Sequence, residues 1–529
     1  MSSESTMTPS ITVDVAIIGM GPVGKMAALL LARAGHSVLI SERKNQNYAL
    51  PRAVAHDAEI ARILQSVGLA PDTISDAVEP YDDLYVWVNG DDDVLLEVDW
   101  RGVDPSGWNN TYFYNQPGLE AHLDEAVSHY PDLVTVRRGN AAAVTSQDDS
   151  GATVTVTDVT TGVSEVVRAQ YVLGADGANS ETRNDLGIGW HDLGYFYDWL
   201  VVDVVPGPSL QISPLAKQVC DPVRPTTVVP AGPGRRRWEF MRLEGETIEE
   251  LTRPEKVWEL LEPFGVTPST SSVERGVVYT FNSGWADTWR SGRVLLVGDA
   301  AHLMPPFAGQ GLAAGFRDCV NLMWKLDLVL RGLSPDSLLD TYGAERERHV
   351  ADFIAFSMSL GQVICITDPE EARKRDEAMI AARASRQAPE PPPAPRLGDG
   401  LHEGATGGYL SWQGQIARAE GERVRFDDAF GAFSLILRDL TLVNDVPNLA
   451  RLRELGASVT TFAAEASADV EKFADIDGTY SAWFTTLGAS AVLVRPDFYV
   501  YGTANDAAGV QDMIARFEDA VRGAKVTAG

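Results

Sequence analysis

The ordered pattern of the chain opens with Val13-Asp14-Val15-Ala16-Ile17-Ile18, a short run rich in β-branched residues that reads as a strand buried on both faces. Gly19-Met20-Gly21-Pro22-Val23-Gly24 follows at once. Residues 25–34, rich in Ala and Leu, then carry a helical pattern that Gly35 stops, and 37–41 read as a second strand. Two further apolar runs, 171–174 and 293–297, each end in a polar turn, and the segment opened by Pro305-Pro306 and Gly309-Gln310-Gly311 continues as a long amphipathic helix to about residue 330. Between these segments the pattern changes to alternation with many aromatics, as in Tyr85-Val86-Trp87-Val88 and Trp238-Glu239-Phe240-Met241. That predicts a β-sheet inserted into an α/β frame, its aromatics serving mainly as core. After the stiff stretch Pro389-Glu390-Pro391-Pro392-Pro393-Ala394-Pro395 a β/α mixture returns, with strands over 434–437, 458–462, 491–494 and 498–501 and helices over 446–455 and 507–521.

The first glycine run is G-x-G-x-x-G in a strand–turn–helix setting, the arrangement that holds a dinucleotide. Gly19 permits the tight turn, Gly21 lets the backbone approach a pyrophosphate, and Gly24 brings the helix close to the strand. Pro22 and Val23 complete the turn, and the helix N-terminus faces the negative charge. Glu42, followed by Arg43, ends the second strand where an acidic side chain can accept hydrogen bonds from a ribose. This fingerprint does not choose between NAD and FAD.

Composition narrows the class. The chain has 529 residues, 45% hydrophobic and 22% charged, which predicts a globular protein of two or three domains. Its formal net charge of −30 argues against a nucleic-acid or anionic-membrane partner. Cys220, Cys319 and Cys365 have no metal-binding or C-x-x-C spacing, so neither disulfides nor a metal site is expected. The apolar stretch from 13 to 32 is interrupted by the glycine fingerprint, and residues 1–10 lack a basic leader region. These features read as a cytoplasmic protein without signal peptide or membrane span.

Two further motifs decide for flavin. Tyr171-Val172-Leu173-Gly174-Ala175-Asp176-Gly177 ends a strand in a turn, and Gly298-Asp299-Ala300-Ala301-His302 ends another. With the fingerprint, and in this order, they resemble the single-component flavoprotein aromatic hydroxylases, the para-hydroxybenzoate hydroxylase family, over about residues 13–348. The resemblance implies an α/β protein: a Rossmann-like FAD-binding domain (11–80, 110–190 and 280–388), an inserted β-sheet substrate domain (81–109 and 191–279), a Pro-rich linker (389–400) and a thioredoxin-like C-terminal domain (401–529). It also implies that Asp176-Gly177 supports the flavin and nicotinamide sides of the site, and that Asp299, beside Gly298, holds the ribityl chain. By the same resemblance Gln116, in Asn115-Gln116-Pro117-Gly118, touches the flavin chain and Arg52 lies in a flavin-proximal loop. Pro306, Gly309, Gly311 and Leu312 open the helix whose N-terminus aims at the pyrimidine edge of the flavin, where its dipole would stabilise the reduced anion. His302 is mostly structural in that family, and no catalytic side chain is assigned.

The implied activity is hydroxylation of a phenol by NADH or NADPH and O2, through a hydroperoxide at the flavin C4a carbon. Trp199-Leu200-Val201-Val202-Asp203 and Arg235-Arg236-Arg237-Trp238-Glu239-Phe240 resemble the phenylpropionate-hydroxylase branch, which makes a phenol such as a hydroxyphenylpropionate or hydroxycinnamate the expected substrate. The three arginines pair a substrate carboxylate or form a solvated strand edge. A flavin halogenase is disfavoured, since the chain has no Lys from 45 to 216 and no Trp-x-Trp-x-Ile-Pro run. A FAD-dependent reductase or a non-catalytic nucleotide-binding module would carry the same fingerprint. No Cys follows Cys365, which leaves the C-terminal domain a packing or homodimer-supporting role rather than thiol chemistry.

Overall fold

The computed structural model describes residues 11–47, 53–194, 196–385, 396–417, 421–443, 449–462 and 470–523. Arg52 and the Pro-rich 389–395 stretch lie outside them. Strand Ile11–Ile18 is central to the first sheet, paired in parallel with Val38–Glu42 on one side and Ser164–Gly174 on the other. Val134–Arg138 and Val294–Leu296 extend the sheet at its two sides, also in parallel. Val15 and Ile17 pack into the main core while Ala16 and Ile18 face the ribbon strand Gly151–Asp158, so both faces are covered and the run is apolar throughout. The fingerprint helix is Pro22–Arg33, starting three residues earlier than the sequence pattern suggests. Pro22 explains this, because a proline has no N–H to lose in a first turn.

The inserted sheet has seven strands in the order Ser271–Phe281, Tyr197–Pro206, Arg236–Met241, Thr226–Pro230, Ala216–Val219, Leu84–Val88 and Val94–Asp99. One face, with Leu200, Val202, Trp238 and Phe240, packs on Val257 and Leu261 of helix Pro254–Leu261. The other face carries Trp199 and Met241 and turns towards the body built on the first sheet, forming a roof over it.

The C-terminal domain is a mixed five-stranded sheet ordered Glu471–Lys472, Ser458–Thr461, Ser434–Leu437, Ala491–Val494 and Val500–Ala504. Helix Ala507–Arg522 covers one face and helix Thr479–Leu487 the other, an arrangement that fits a thioredoxin-like domain. Its last strand begins later than expected because Phe498 sits at φ +72 in a turn closed by its own N–H on the Arg495 carbonyl. The domain docks through buried charges. Arg495 donates to Glu345 of helix Asp340–Ile364 at 2.7 and 2.8 Å and to Asp497 at 2.6 and 3.0 Å, with Lys325 on the same Glu345 at 2.7 Å. Arg62 reaches Asp427, and Tyr499 donates to Glu59 at 2.8 Å. Residues 396–400, the described end of the stretch expected as linker, lie against the same helix, with Gly398 N–H on the Glu345 carbonyl.

Candidate active site

Three sequence-distant motifs leave the first sheet from one row. Ile18 pairs with Gly174 and Gly174 with Leu296, so the turns at Gly19, Ala175–Asp176 and Gly298–Asp299 sit side by side at the carboxyl edge of parallel strands. That edge is where ligands bind in open α/β sheets. Gly19 has φ +104, and a Cβ there would come within 2.3 Å of the Ala175 carbonyl oxygen. A Cβ on Gly24 would meet the Gly19 carbonyl at 2.2 Å. A Cβ on Gly21 meets nothing within 4 Å, and Gly21 is the N-cap of a helix with no side-chain cap and no acid in its first turn. The fingerprint helix therefore presents uncapped N–H groups to open space, which suits a pyrophosphate.

Helix Gly311–Leu330 repeats this arrangement. Gln310 is its N-cap without a capping side-chain bond, Gly309 turns the chain at φ +66 after the turn Pro306–Ala308, and a Cβ on Gly311 again meets nothing within 4 Å. Leu312 is half-buried beside it. Gln310 does not cap because it is held elsewhere: its amide donates to Asp57 at 3.0 Å and accepts from Arg317 at 2.6 Å, while Arg317 also bonds Glu59 at 2.6 Å. Val23 joins the two helices, since Cβ atoms on Gly298 and Gly315 would lie 3.1 and 2.5 Å from its methyls. Two uncapped helix starts, glycine-lined and open, fit the phosphate and pyrimidine ends of an FAD.

The polar residues singled out from sequence do different work around this edge. Glu42 accepts from Met20 N–H at 3.1 Å and Lys44 N–H at 2.9 Å, which ties the glycine turn to the end of the second strand. Arg43 is exposed, 3.5 Å from Glu181. Asp176 spends its oxygens on Ser180 Oγ, Thr182 N–H and Thr182 Oγ1 at 2.6, 2.9 and 2.9 Å, holding the turn that Gly177 makes at φ +80. Gln116, 5% exposed, accepts from Ala53 N–H at 3.0 Å and donates to Glu120 at 2.8 Å. Asp299 lies in the 3-10 turn Gly298–Ala300.

Sequence reasoning missed the buried ions behind these turns. Lys25, fully buried in the fingerprint helix, bonds Glu120 at 3.0 Å and Asp124 at 3.2 Å and so fixes the Gln116 helix. Asp318 accepts from Gly298 N–H at 3.0 Å, pairs with His302 at 2.7 Å and takes Arg346 at 2.9 Å. Burial raises the Asp318 carboxyl, but His302 and Arg346 outweigh it and hold it below the usual range. His302 is a buried positioning group in this turn. A lysine inside a strongly apolar helix was the one signal in the sequence.

The roof supplies an aromatic wall. Trp199 stacks on Phe281 at 6.2 Å, and both meet Phe307 edge-on at 5.7 and 6.0 Å. Phe307 follows Pro306, so this wall stands beside the second helix start. The expectation of a solvated arginine edge fails for two residues of three. Arg235 pairs with exposed Glu274, whereas Arg236 is buried on the carbonyls of Pro214 and Leu215 and Arg237 is buried on Asp203 at 2.7 and 3.2 Å. The reason is topology: their strand is an inner one, with neighbours on both sides. A groove of about 560 Å³ lies away from this edge, between the two main bodies near Arg33 and Trp324; Arg33 ends the fingerprint helix at the opposite end from Gly21.

Comparison with known proteins agrees with this geometry. An FAD binding domain model matches residues 12–357, and an HcaD C-terminal domain model matches 408–520. The chain belongs to the FAD-dependent aromatic hydroxylases. It is 40% identical over 501 residues to a probable NADH-specific resorcinol 4-hydroxylase of Rhodococcus jostii, covering 94% of this chain and 93% of that one. It is 34% identical to a 3-(3-hydroxy-phenyl)propionate/3-hydroxycinnamic acid hydroxylase of Mycolicibacterium smegmatis, covering 93% and 90%. Among solved structures, the flavin-dependent monooxygenase PieE with FAD and substrate superposes with a TM-score of 0.78 at 24% identity, over 97% of this chain and 100% of that one. This member of the family is an enzyme that uses FAD, NAD(P)H and O2 to hydroxylate a phenolic ring. A halogenase, a reductase and a non-catalytic module are not favoured. Among the described residues no single helix is long and apolar enough to cross a membrane.

Proposed function

We propose that this hydroxylase adds oxygen to a small dihydroxybenzene of the resorcinol kind, beside an existing hydroxyl, with NADH as the electron donor. The roof carries this reading. Its inner face offers an aromatic wall, and the charges of its two buried guanidiniums there, Arg237 and Arg275, are balanced by those of Asp203 and Glu239. A ring bearing a carboxylate would add a negative charge to a cluster that is already balanced, which costs several kcal/mol if uncompensated, about 3–5. The name of the 40% identical relative points the same way, both for resorcinol and for NADH. A hydroxyphenylpropionate is the second reading, supported by the Trp199–Asp203 and Arg235–Phe240 segments and by the Mycolicibacterium relative.

In this reading Gly19, Gly21, Pro22, Val23 and Gly24 hold the pyrophosphate, and Glu42 and Arg43 flank the adenosine. Gln116 and Arg52 border the flavin chain, Asp299 with Gly298 takes the ribityl hydroxyls, and Asp176-Gly177 shapes the turn between them. Pro306, Gly309, Gly311 and Leu312 form the floor at the pyrimidine edge. Bound FAD supplies the two-electron chemistry and the activation of oxygen. The chain's own task is to aim helix N–H groups at the flavin, to exclude water with Trp199, Phe281 and Phe307, and to hold the phenol with its reactive carbon towards the ring. The same reading puts the enzyme in the cytoplasm as a homodimer. The test is mass spectrometry of product made under labelled O2, with resorcinol and 3-(3-hydroxyphenyl)propionate as paired substrates. One labelled oxygen in a trihydroxybenzene, with faster NADH oxidation, is expected. Labelled product from the phenolic acid alone overturns the resorcinol assignment, and hydrogen peroxide without labelled product from either overturns both.

A further inference from the structure

The roof strands align one row of side chains across the sheet. Val201 pairs with Val277 and with Glu239, Glu239 with Thr227, Thr227 with Gln218, and Gln218 with Trp87. Strand alternation puts Glu239 on the same face as Arg237 and Met241, and Val201 on that of Trp199, which is the face turned to Phe307. Within this row Thr227 Oγ1 donates to Gln218 at 2.7 Å, and Tyr85 adds a weaker bond to the same oxygen at 3.4 Å. These three groups satisfy one another.

Glu239 is different. Its charge partner is Arg237 at 3.5 Å, and that guanidinium is already engaged on both oxygens of Asp203. The side chain keeps 13% of its surface accessible although it lies deep under the roof. A carboxylate has about four lone-pair sites, so most of its accepting capacity is unspent. The groups around it are Arg237 on its own strand, Asp203 on strand Tyr197–Pro206, Arg275 on strand Ser271–Phe281 and Tyr85 on strand Leu84–Val88. Burial raises the Glu239 carboxyl more than the two arginines lower it. A half-buried acceptor with spare capacity, on the face of the roof that carries the aromatic wall, suits a hydroxyl on a flat ring, which can donate its proton there.

We propose that Glu239 receives the hydroxyl of the phenolic substrate and holds its proton during oxygen transfer. This rests on the reading of the chain as a phenol hydroxylase. As the ring carbon beside the hydroxyl takes up an OH group from activated oxygen, a ring electron pair forms the new C–O bond, while the O–O bond breaks and its pair stays on the oxygen left behind, which gains a proton and ends as water. The phenol O–H bond breaks, its electron pair becomes the C=O of a dienone, and Glu239 takes the proton. The ring carbon then loses its hydrogen to water, that bonding pair restores the aromatic ring, and Glu239 returns its proton to the oxygen. Glu239 thus ends as it began, and the oxidant is the one the hydroxylase reaction already uses.

The experiment compares wild type with Glu239→Gln, both loaded with FAD. Each is titrated with resorcinol while the flavin absorbance is followed, and then assayed from pH 6 to 9. Glu239→Gln should keep wild-type FAD content, bind resorcinol more weakly and hydroxylate about a hundredfold more slowly at pH 7. Its rate should climb about tenfold per pH unit as the phenol, with a pKa of about 10, ionises without help. A structural role would lower the rate equally at every pH. Unchanged resorcinol binding and rate, or a loss that does not recover with pH, overturns the proposal. If Glu239→Gln does not fold, ring-fluorinated resorcinols of lower pKa are assayed with wild type. A rate nearly independent of substrate pKa is then expected, and a steep rise with acidity counts against Glu239. A wild type that hydroxylates no phenol in the panel would instead overturn the functional reading itself.

Discussion

At the scale of single residues, Gly21 and Asp299 bear the most direct tests. Gly21 caps a helix start whose outward side is open, so Gly21→Val fills the space proposed for a pyrophosphate without a clash in the protein itself. The variant should fold with the wild-type melting temperature in the apo form and bind FAD at least about tenfold more weakly, about 1.4 kcal/mol. Wild-type FAD stoichiometry and affinity would remove Gly21 from the site. Asp299→Ala deletes a charge-assisted acceptor at a strand end, worth about 1.5–3 kcal/mol, or roughly ten- to a hundredfold in FAD affinity. Flavin fluorescence during titration measures it, and an unchanged dissociation constant would show that Asp299 does not hold the ribityl chain. Both positions are readable from sequence because the chemistry lies in the local backbone. Asp318 is not, since an aspartate inside an amphipathic helix carries no mark of the turn twenty residues away that it anchors.

At the scale of elements, the long helix Gly311–Leu330 links the proposed flavin site to the core. Gln310 is drawn away from its capping position by Asp57 and Arg317, which leaves the helix N–H groups for a ligand. Burial pushes the Asp57 carboxyl up, yet Arg317 and Gln310 outweigh it and keep it ionised below the usual range. Arg317→Met should strand Glu59 in the interior, leave half-buried Asp57 without its cation and cost about 3–5 kcal/mol of stability. Gln310 would then be released to cap the helix, so FAD affinity should fall as well. Chemical denaturation and FAD titration of the same preparation separate the two effects. A destabilised variant with wild-type FAD affinity would mean that the helix start is ordered without this network. The helix itself, its length and its glycine-rich opening are legible in the sequence, but its uncapped start depends on partners more than 250 residues away.

At the scale of the whole molecule, the C-terminal domain is held by ions rather than by thiols, and Tyr499, Glu59, Arg317 and Gln310 form one bonded chain from it to the start of helix Gly311–Leu330. A chain ending at residue 385 should therefore lose FAD affinity as well as solubility. A truncated protein that folds and binds FAD like the full chain would make the domain a passive cover. Glu345 supplies a pH test. Burial alone would raise its carboxyl, but Arg495 and Lys325 outweigh that and hold it far below the carboxylate range. A carboxyl whose folded pKa is depressed contributes stability above its unfolded pKa of about 4.3 and loses it as pH falls towards the folded value. Glu345→Gln should thus be clearly less stable than wild type at pH 7, and the gap in urea midpoint should shrink below about pH 4. A gap that is constant with pH would mean that Glu345 acts through shape rather than charge.

What the sequence determined by itself was local: a strand, a glycine turn at φ +104 and a helix starting at a proline, then two later strand ends that turn at Asp176-Gly177 and Gly298-Asp299. Steric limits on a few consecutive residues dictate such turns, so the order of three of them suffices to identify the family and its α/β frame. Tertiary structure decided what long-range pairing alone can create. Arg237 meets Asp203 across 34 residues, Arg495 meets Glu345 across 150, and Tyr499 meets Glu59 across 440. Sheet register made Arg237 an inner ion rather than a solvated edge, and it put half-buried Glu239 on the same face of the roof as Arg237. A charged residue in a sequence has no sign of its burial, because the groups that compensate it come from other parts of the chain.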